Sequence, residues 1–254
     1  MEVHHHTHHP KKWKEYISEF FMLFLAVTLG FFAENKREEM VEVRREKQYM
    51  QSLYEDLKKD TSMLSTLEAY ENMQISKIDT VNKVLTDNVW NDSTIKYIYR
   101  ANLKTLGNLR LSLNERTSSQ LKNSGGMRMV ENQDISNKIS EYWEYSEITK
   151  NMGLSIEELK LKAREKSYSI FDQKYYINTS TGEVASNAKL MTYDKLVLTE
   201  YANRINHIRN SMKNVRTPFI VKLNDKAKEL ILDLKKEFSL NDKTSVNPVF
   251  ENRK

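Results

Sequence analysis

Between Phe20 and Ala33 the chain carries no charged side chain, and Thr28 alone has a polar group. Fourteen residues wound as a helix span about 21 Å, and extension back through Tyr16, Ile17 and Ser18 brings the run to about 27 Å, close to the hydrocarbon thickness of a bilayer. The extension includes Glu19, a carboxylate one turn inside the interface that reaches the head groups, takes up a proton or finds a partner. Trp13 and Tyr16 supply an aromatic belt, while Lys11, Lys12 and Lys14 on one side and Glu34, Lys36 and Arg37 on the other fence the ends. A cleaved leader would need a small-x-small site, and Phe31, Phe32, Ala33, Glu34 and Asn35 provide none. A core helix would show polar residues at helical spacing, whereas this run is apolar all round. The reading is one transmembrane helix over 16–34.

Flanking charge bears on orientation. Three lysines precede the span, and Lys36, Arg37, Arg44, Arg45 and Lys47 follow it, so a bare count of basic residues would keep the large domain inside the cell. Those five alternate with Glu34, Glu38, Glu39, Glu42 and Glu46 as helix-surface pairs, and the short tail before the span is easily retained. The expectation is therefore a cytoplasmic N-terminus and a periplasmic C-terminal domain.

The tail itself, "HHHTHHPKK", is histidine-rich without being an unbroken hexahistidine, since Thr7 interrupts it and Pro10 leads straight on. His4, His5, His6, His8 and His9 are candidate metal-binding or pH-responsive residues, zinc being the natural ion, yet a tract without a scaffold has no geometric selectivity. The competing reading is electrostatic: protonated imidazoles strengthen attraction to an anionic leaflet. No cofactor is expected beyond zinc held there.

The remaining residues read as helices. Six glycines and three prolines in 254 residues leave little of the punctuation that hairpins and barrels need. Met50, Leu53, Leu57, Leu64, Leu67, Ile75, Ile78, Val81 and Leu85 recur at three- and four-residue intervals or their sums, with no glycine or proline from 31 to 88. Asn91, Asp92 or Ser93 caps a second helix running through "TIKYIYRANLKTLGNLRLSL", and "RTSSQLKNSGG" is a third, stopped at Gly125 and Gly126. "NQDISNKISEYWEYSEITKNM" is expected to end at Gly153, a new helix starting on a capping box of Ser155 and Glu158. "KYYINTSTGEV" is the one good hairpin signal, and two helices follow, from Thr192 to about Val215 and from Thr217 and Pro218 to Phe238. The fold class is mainly α: a single transmembrane helix continuing into a long stalk and a helical bundle, with at most one small β-hairpin. The boundaries are a tail over 1–15, the span over 16–34, a charged stalk over 35–49, a helical domain over 50–239 and a loose end over 240–254.

A search for chemistry finds little. No phosphate-binding glycine loop, His-Glu-x-x-His or Gly-x-Ser-x-Gly occurs, and without cysteine there are no disulfides or thiolate sites. His207 stands alone on a helix, and Glu157 and Glu158, as neighbours, point about 100° apart. Forty basic and 35 acidic residues are interspersed, so no nucleic-acid footprint is expected. "LKNSGGMRMVENQDI" is a candidate anion-binding turn, with Gly125 and Gly126 shaping backbone amides and Arg128 assisting; the alternative is a helix connection packed by its methionines. Ala26, Gly30 and Ala33 line up at four- and three-residue spacing, a face along which two membrane helices could approach.

The opening "HHHTHHPKKWKEYISEFFMLFLAVTLGFFAEN", with "REKQYMQSLYEDLKKD" after it, resembles an uncharacterised family of small single-pass proteins from Bacteroidota, and "QLKNSGGMRMVENQDISNKISEYWEY" is similar to that family's second recurring segment. The resemblance covers the first sixty residues well and the middle moderately. It implies a bacterial inner-membrane protein with a periplasmic helical domain, and neither an activity nor catalytic residues. The expected role is a membrane-anchored scaffold or accessory protein without catalytic activity, its partners the bilayer and either a second copy or another membrane protein. Two alternatives are a transport or energy-coupling subunit using Glu19, and metal or pH sensing through the histidines.

Overall fold

The computed structural model describes residues 12–240. The histidine tract and the C-terminal end beyond Leu240 lie outside the described residues. Helix α1 covers Trp13–Asp87 and is followed by α2 (Asp92–Thr105), α3 (Arg116–Asn123), α4 (Gln133–Ser167), α5 (Lys195–Ser211) and α6 (Thr217–Glu237). Strands β1 (Tyr176–Asn178) and β2 (Glu183–Val184) form one antiparallel pair, in which Gly182 takes the left-handed backbone the turn requires (φ 74°). The fold is mainly α, as the composition implies.

The chain divides into two compact units, one ending at Gln48 and the other beginning at Tyr49. In the first, α1 opens on Lys12, whose backbone N–H donates to the Glu15 carboxylate at 3.2 Å. Every residue from Lys12 to Met40 is exposed. Beyond the apolar run the charges pair along the helix surface, Arg37 with Glu34 at 2.5 Å and Lys36 with Glu39 at 2.6 Å.

In the second unit the inward face of α1 follows a regular three-and-four spacing through Met50, Leu53, Leu57, Asp60, Leu64, Leu67, Glu71, Gln74, Ile78 and Val81, all buried. Its apolar members serve two clusters. Leu57, Leu64 and Leu67 pack with Ile139, Leu223 and Leu230, and Ile78 and Val81 pack with Tyr99, Phe171 and Tyr201. Helix α4 packs on both α5 and α6.

Three elements depart from the sequence reading. Helix α2 stops at Thr105 instead of running to Leu113, because Gly107 passes close to α1: a Cβ there would meet the Tyr70 hydroxyl at 2.6 Å. Helix α4 runs straight through Gly153, and Ser155, in place of capping a new helix, donates back to the Asn151 carbonyl at 3.4 Å. Glycine at 153 leaves room for a neighbour, since a Cβ would come within 3.0 Å of the Arg216 guanidinium. Finally, α5 begins at Lys195, capped by Asp194, and reaches α6 without leaving helical backbone, through a π-helical turn at Met212–Arg216. Pro218 explains the wide turn: lacking an N–H, it cannot bond a carbonyl four residues back, and a π-bulge relieves the clash its ring would make.

Candidate functional site

The apolar run is the first feature to account for. Its most apolar 18-residue window has mean hydropathy 1.8 and is 0% buried, so one helix near the N-terminus is long and apolar enough to cross a membrane. Phe20, Leu23, Leu25, Leu29, Phe31 and Phe32 are each more than half exposed. Thr28, the polar exception, donates to the Phe24 carbonyl at 2.8 Å, which satisfies its hydroxyl within the helix. Ala26, Gly30 and Ala33 are exposed on the same helix, and a Cβ at Gly30 would meet nothing within 4 Å. Glu19 lies in this exposed stretch too.

A second feature is polar and internal. At Asp60 the Asn114 backbone N–H and side-chain amide each donate at 2.8 Å, and the Tyr142 hydroxyl donates at 2.8 Å; on the preceding turn Thr117 donates to Asp56 at 2.5 Å. Burial holds the Asp60 carboxyl above its ordinary range, against the pull of these donors. Burial and the neighbouring Asp60 together push the Tyr142 hydroxyl up. Further along, Glu71 is 0% exposed and pairs with Arg216, and Thr217 donates to its other oxygen at 2.9 Å. Gln74 donates to the Gly107 carbonyl at 2.7 Å and accepts from Lys160 at 2.8 Å, and Lys160 reaches the same carbonyl at 2.8 Å. These contacts tie α1 to the loop after α2 and to α3, α4 and α6.

Burial pushes the Lys160 ammonium from 10.5 down to about 8. Between those values the unfolded chain holds a proton that the fold has released, so stability rises with pH. The expected gain is about 1 kcal/mol between about pH 7.5 and about pH 9, below the range in which tyrosines ionise. Urea unfolding at the two pH values measures it, and Lys160→Met should flatten the slope; a slope that persists assigns the titration to another group.

The glycine turn is built by packing. Gly125 has φ 68°, a Cβ on Gly126 would lie 2.9 Å from the Leu121 side chain, and Met127 packs against the core, while Arg128 is exposed. At the start of α4 the Asn132 side chain already accepts from the amides of Asp134 and Ile135, at 3.0 and 3.3 Å. His207 is exposed on α5. Among the described residues no group of three or more His, Asp or Glu side chains could hold a metal; the five tract histidines lie outside them.

A third feature is a cavity of about 370 Å³ between the end of α1 and α5. Asn82, Asn88, Asn203 and Asn206 line it, with Thr86, Thr199 and Lys195 the other polar groups. Asn82 donates to Asn206 at 2.6 Å, and its own carbonyl oxygen is buried without a partner. Its size falls in the range of small-molecule sites, roughly 300–1,000 Å³.

Sequence reasoning did not single out Asp60, Glu71, Gln74, Lys160 or Arg216. For the first three the signal was present: they fill the gaps in the three-and-four repeat. No family model, curated protein or solved structure matches the chain.

Proposed function

We propose that the chain is a membrane-anchored helical scaffold or accessory protein, held by α1 in a bacterial inner membrane with its helical domain in the periplasm. The observation that carries the reading is the contrast along α1. From Lys12 to Met40 every residue is exposed although fourteen in succession are uncharged and nearly all apolar, whereas from Met50 onward the same helix buries a regular stripe within its own domain. The first part calls for a solvent other than water, and the second supplies a stable body for lipid to tether. The paired charges after the span, which blunt the basic excess there, support the periplasmic placement.

Self-association along Ala26, Gly30 and Ala33 is the partner interaction proposed, because small side chains let two helix backbones approach within lipid. Gly30→Ile puts a branched side chain into open space on a single helix, so it should leave the fold unchanged. Crosslinking in native membranes is expected to give several-fold less dimer for this variant. Equal yield removes the anchor from the assembly.

A further inference from the structure

The cavity between α1 and α5 is lined by side chains of one chemical kind. Asn82, Asn88, Asn203 and Asn206 each present an amide N–H donor and a carbonyl acceptor, Thr199 adds a hydroxyl, and Lys195 is the one charged residue. A charged ligand would call for opposing charges, which this lining does not offer. An uncharged ligand that both donates and accepts at closely spaced positions would match it. The hydrogen bond from Asn82 to Asn206 leaves the Asn82 acceptor and the Asn206 amide group side by side, and that acceptor is buried with no partner. Adjacent hydroxyls on one ring fit such a pair. Leu85, Leu198 and Ala202 complete the wall and suit the C–H faces of the same ring. Asn88 also connects the cavity to an aromatic surface: its carbonyl accepts from the Trp90 indole at 2.8 Å, and the Trp90 ring meets Tyr193 edge-on at 5.5 Å, with Tyr193 46% exposed.

We propose that this cavity binds a neutral saccharide. Amide pairs for the hydroxyls, an apolar wall for the ring and a neighbouring aromatic surface are the three elements such a ligand uses. A peptide is the less suitable occupant, because it needs an extended groove or a free sheet edge, and the walls of this cavity are two helices. The inference does not rest on self-association of the anchor, and either can fail alone.

The test uses the full chain in a zwitterionic, sugar-free detergent, with saturation-transfer NMR as the readout. Glucose and N-acetylglucosamine are the probes, and an end-blocked trialanine is the peptide comparison. Saturation is expected to reach the ring protons of at least one sugar and not the peptide. Asn203→Leu, at an exposed position on α5, is expected to weaken sugar binding by about tenfold while circular dichroism stays unchanged. Asn206→Leu, which removes the partner of Asn82, should do the same. Absence of transfer to both sugars, binding unchanged in both variants, or transfer to the peptide as strong as to the sugars each overturns the proposal.

Discussion

Arg216→Ala is expected to lower the stability of the helical domain by about 3–5 kcal/mol, a large share of what holds a domain of this size folded. The reason is what the substitution leaves behind. Glu71 is 0% exposed, and without the guanidinium its carboxylate keeps only the Thr217 hydroxyl at 2.9 Å. Burial of Arg216 already lowers its pKa to about 10, so the pair holds both charges at a cost that only mutual contact offsets. Replacing both partners removes that cost: the double change Glu71→Leu with Arg216→Met should recover most of the loss, since a packed apolar pair of similar volume is close to neutral. Urea unfolding of the full chain followed by circular dichroism compares the three proteins. A loss under about 1 kcal/mol for Arg216→Ala would mean that the α1–α6 contact is held by its leucines alone.

The second large effect concerns the lipid. Leu25 lies midway along the expected span and is 53% exposed on α1. An arginine at the centre of a spanning helix costs about 2.5–3.5 kcal/mol on insertion scales. Leu25→Arg is accordingly expected to move a large share of the protein into the supernatant after alkaline carbonate washing of membranes, whereas the parent chain stays in the pellet. Met40→Arg, placed beyond the apolar run, is the comparison and should behave like the parent. If Leu25→Arg also resists the wash, the apolar run is not what holds the chain to the bilayer.

The architecture was legible wherever a periodic pattern carried it. Fourteen residues without charge, the absence of glycine or proline from 31 to 88, and Leu57, Leu64 and Ile78 at heptad multiples all pointed to α1. Thr-Gly in "KYYINTSTGEV" placed the strand pair, and Asn132 began α4 as expected. The errors came from reading glycine and proline as punctuation. Gly153 lies inside a helix because Arg216 needs the space its missing side chain leaves, and Pro218 is absorbed by a wide turn instead of opening a separate helix. Neither neighbour is visible at short range along the chain. The polar seam was hidden for another reason: an apolar-only template skips Asp60, Glu71 and Gln74, although they sit in register with the leucines. Of the cavity, Asn82 and Asn206 are 124 positions apart, and nothing local to either announces the other.

The wide turn at Met212–Arg216 also sets an angular phase. A single-residue deletion within it would return the backbone to ordinary winding and rotate all that follows by about 100°. Leu223, Leu230 and Leu234, now fully or almost fully buried, would swing away from the interior together. Over evolutionary time this segment is therefore free to change its letters far more readily than its length, and insertions or deletions should accumulate in the loops and spare it.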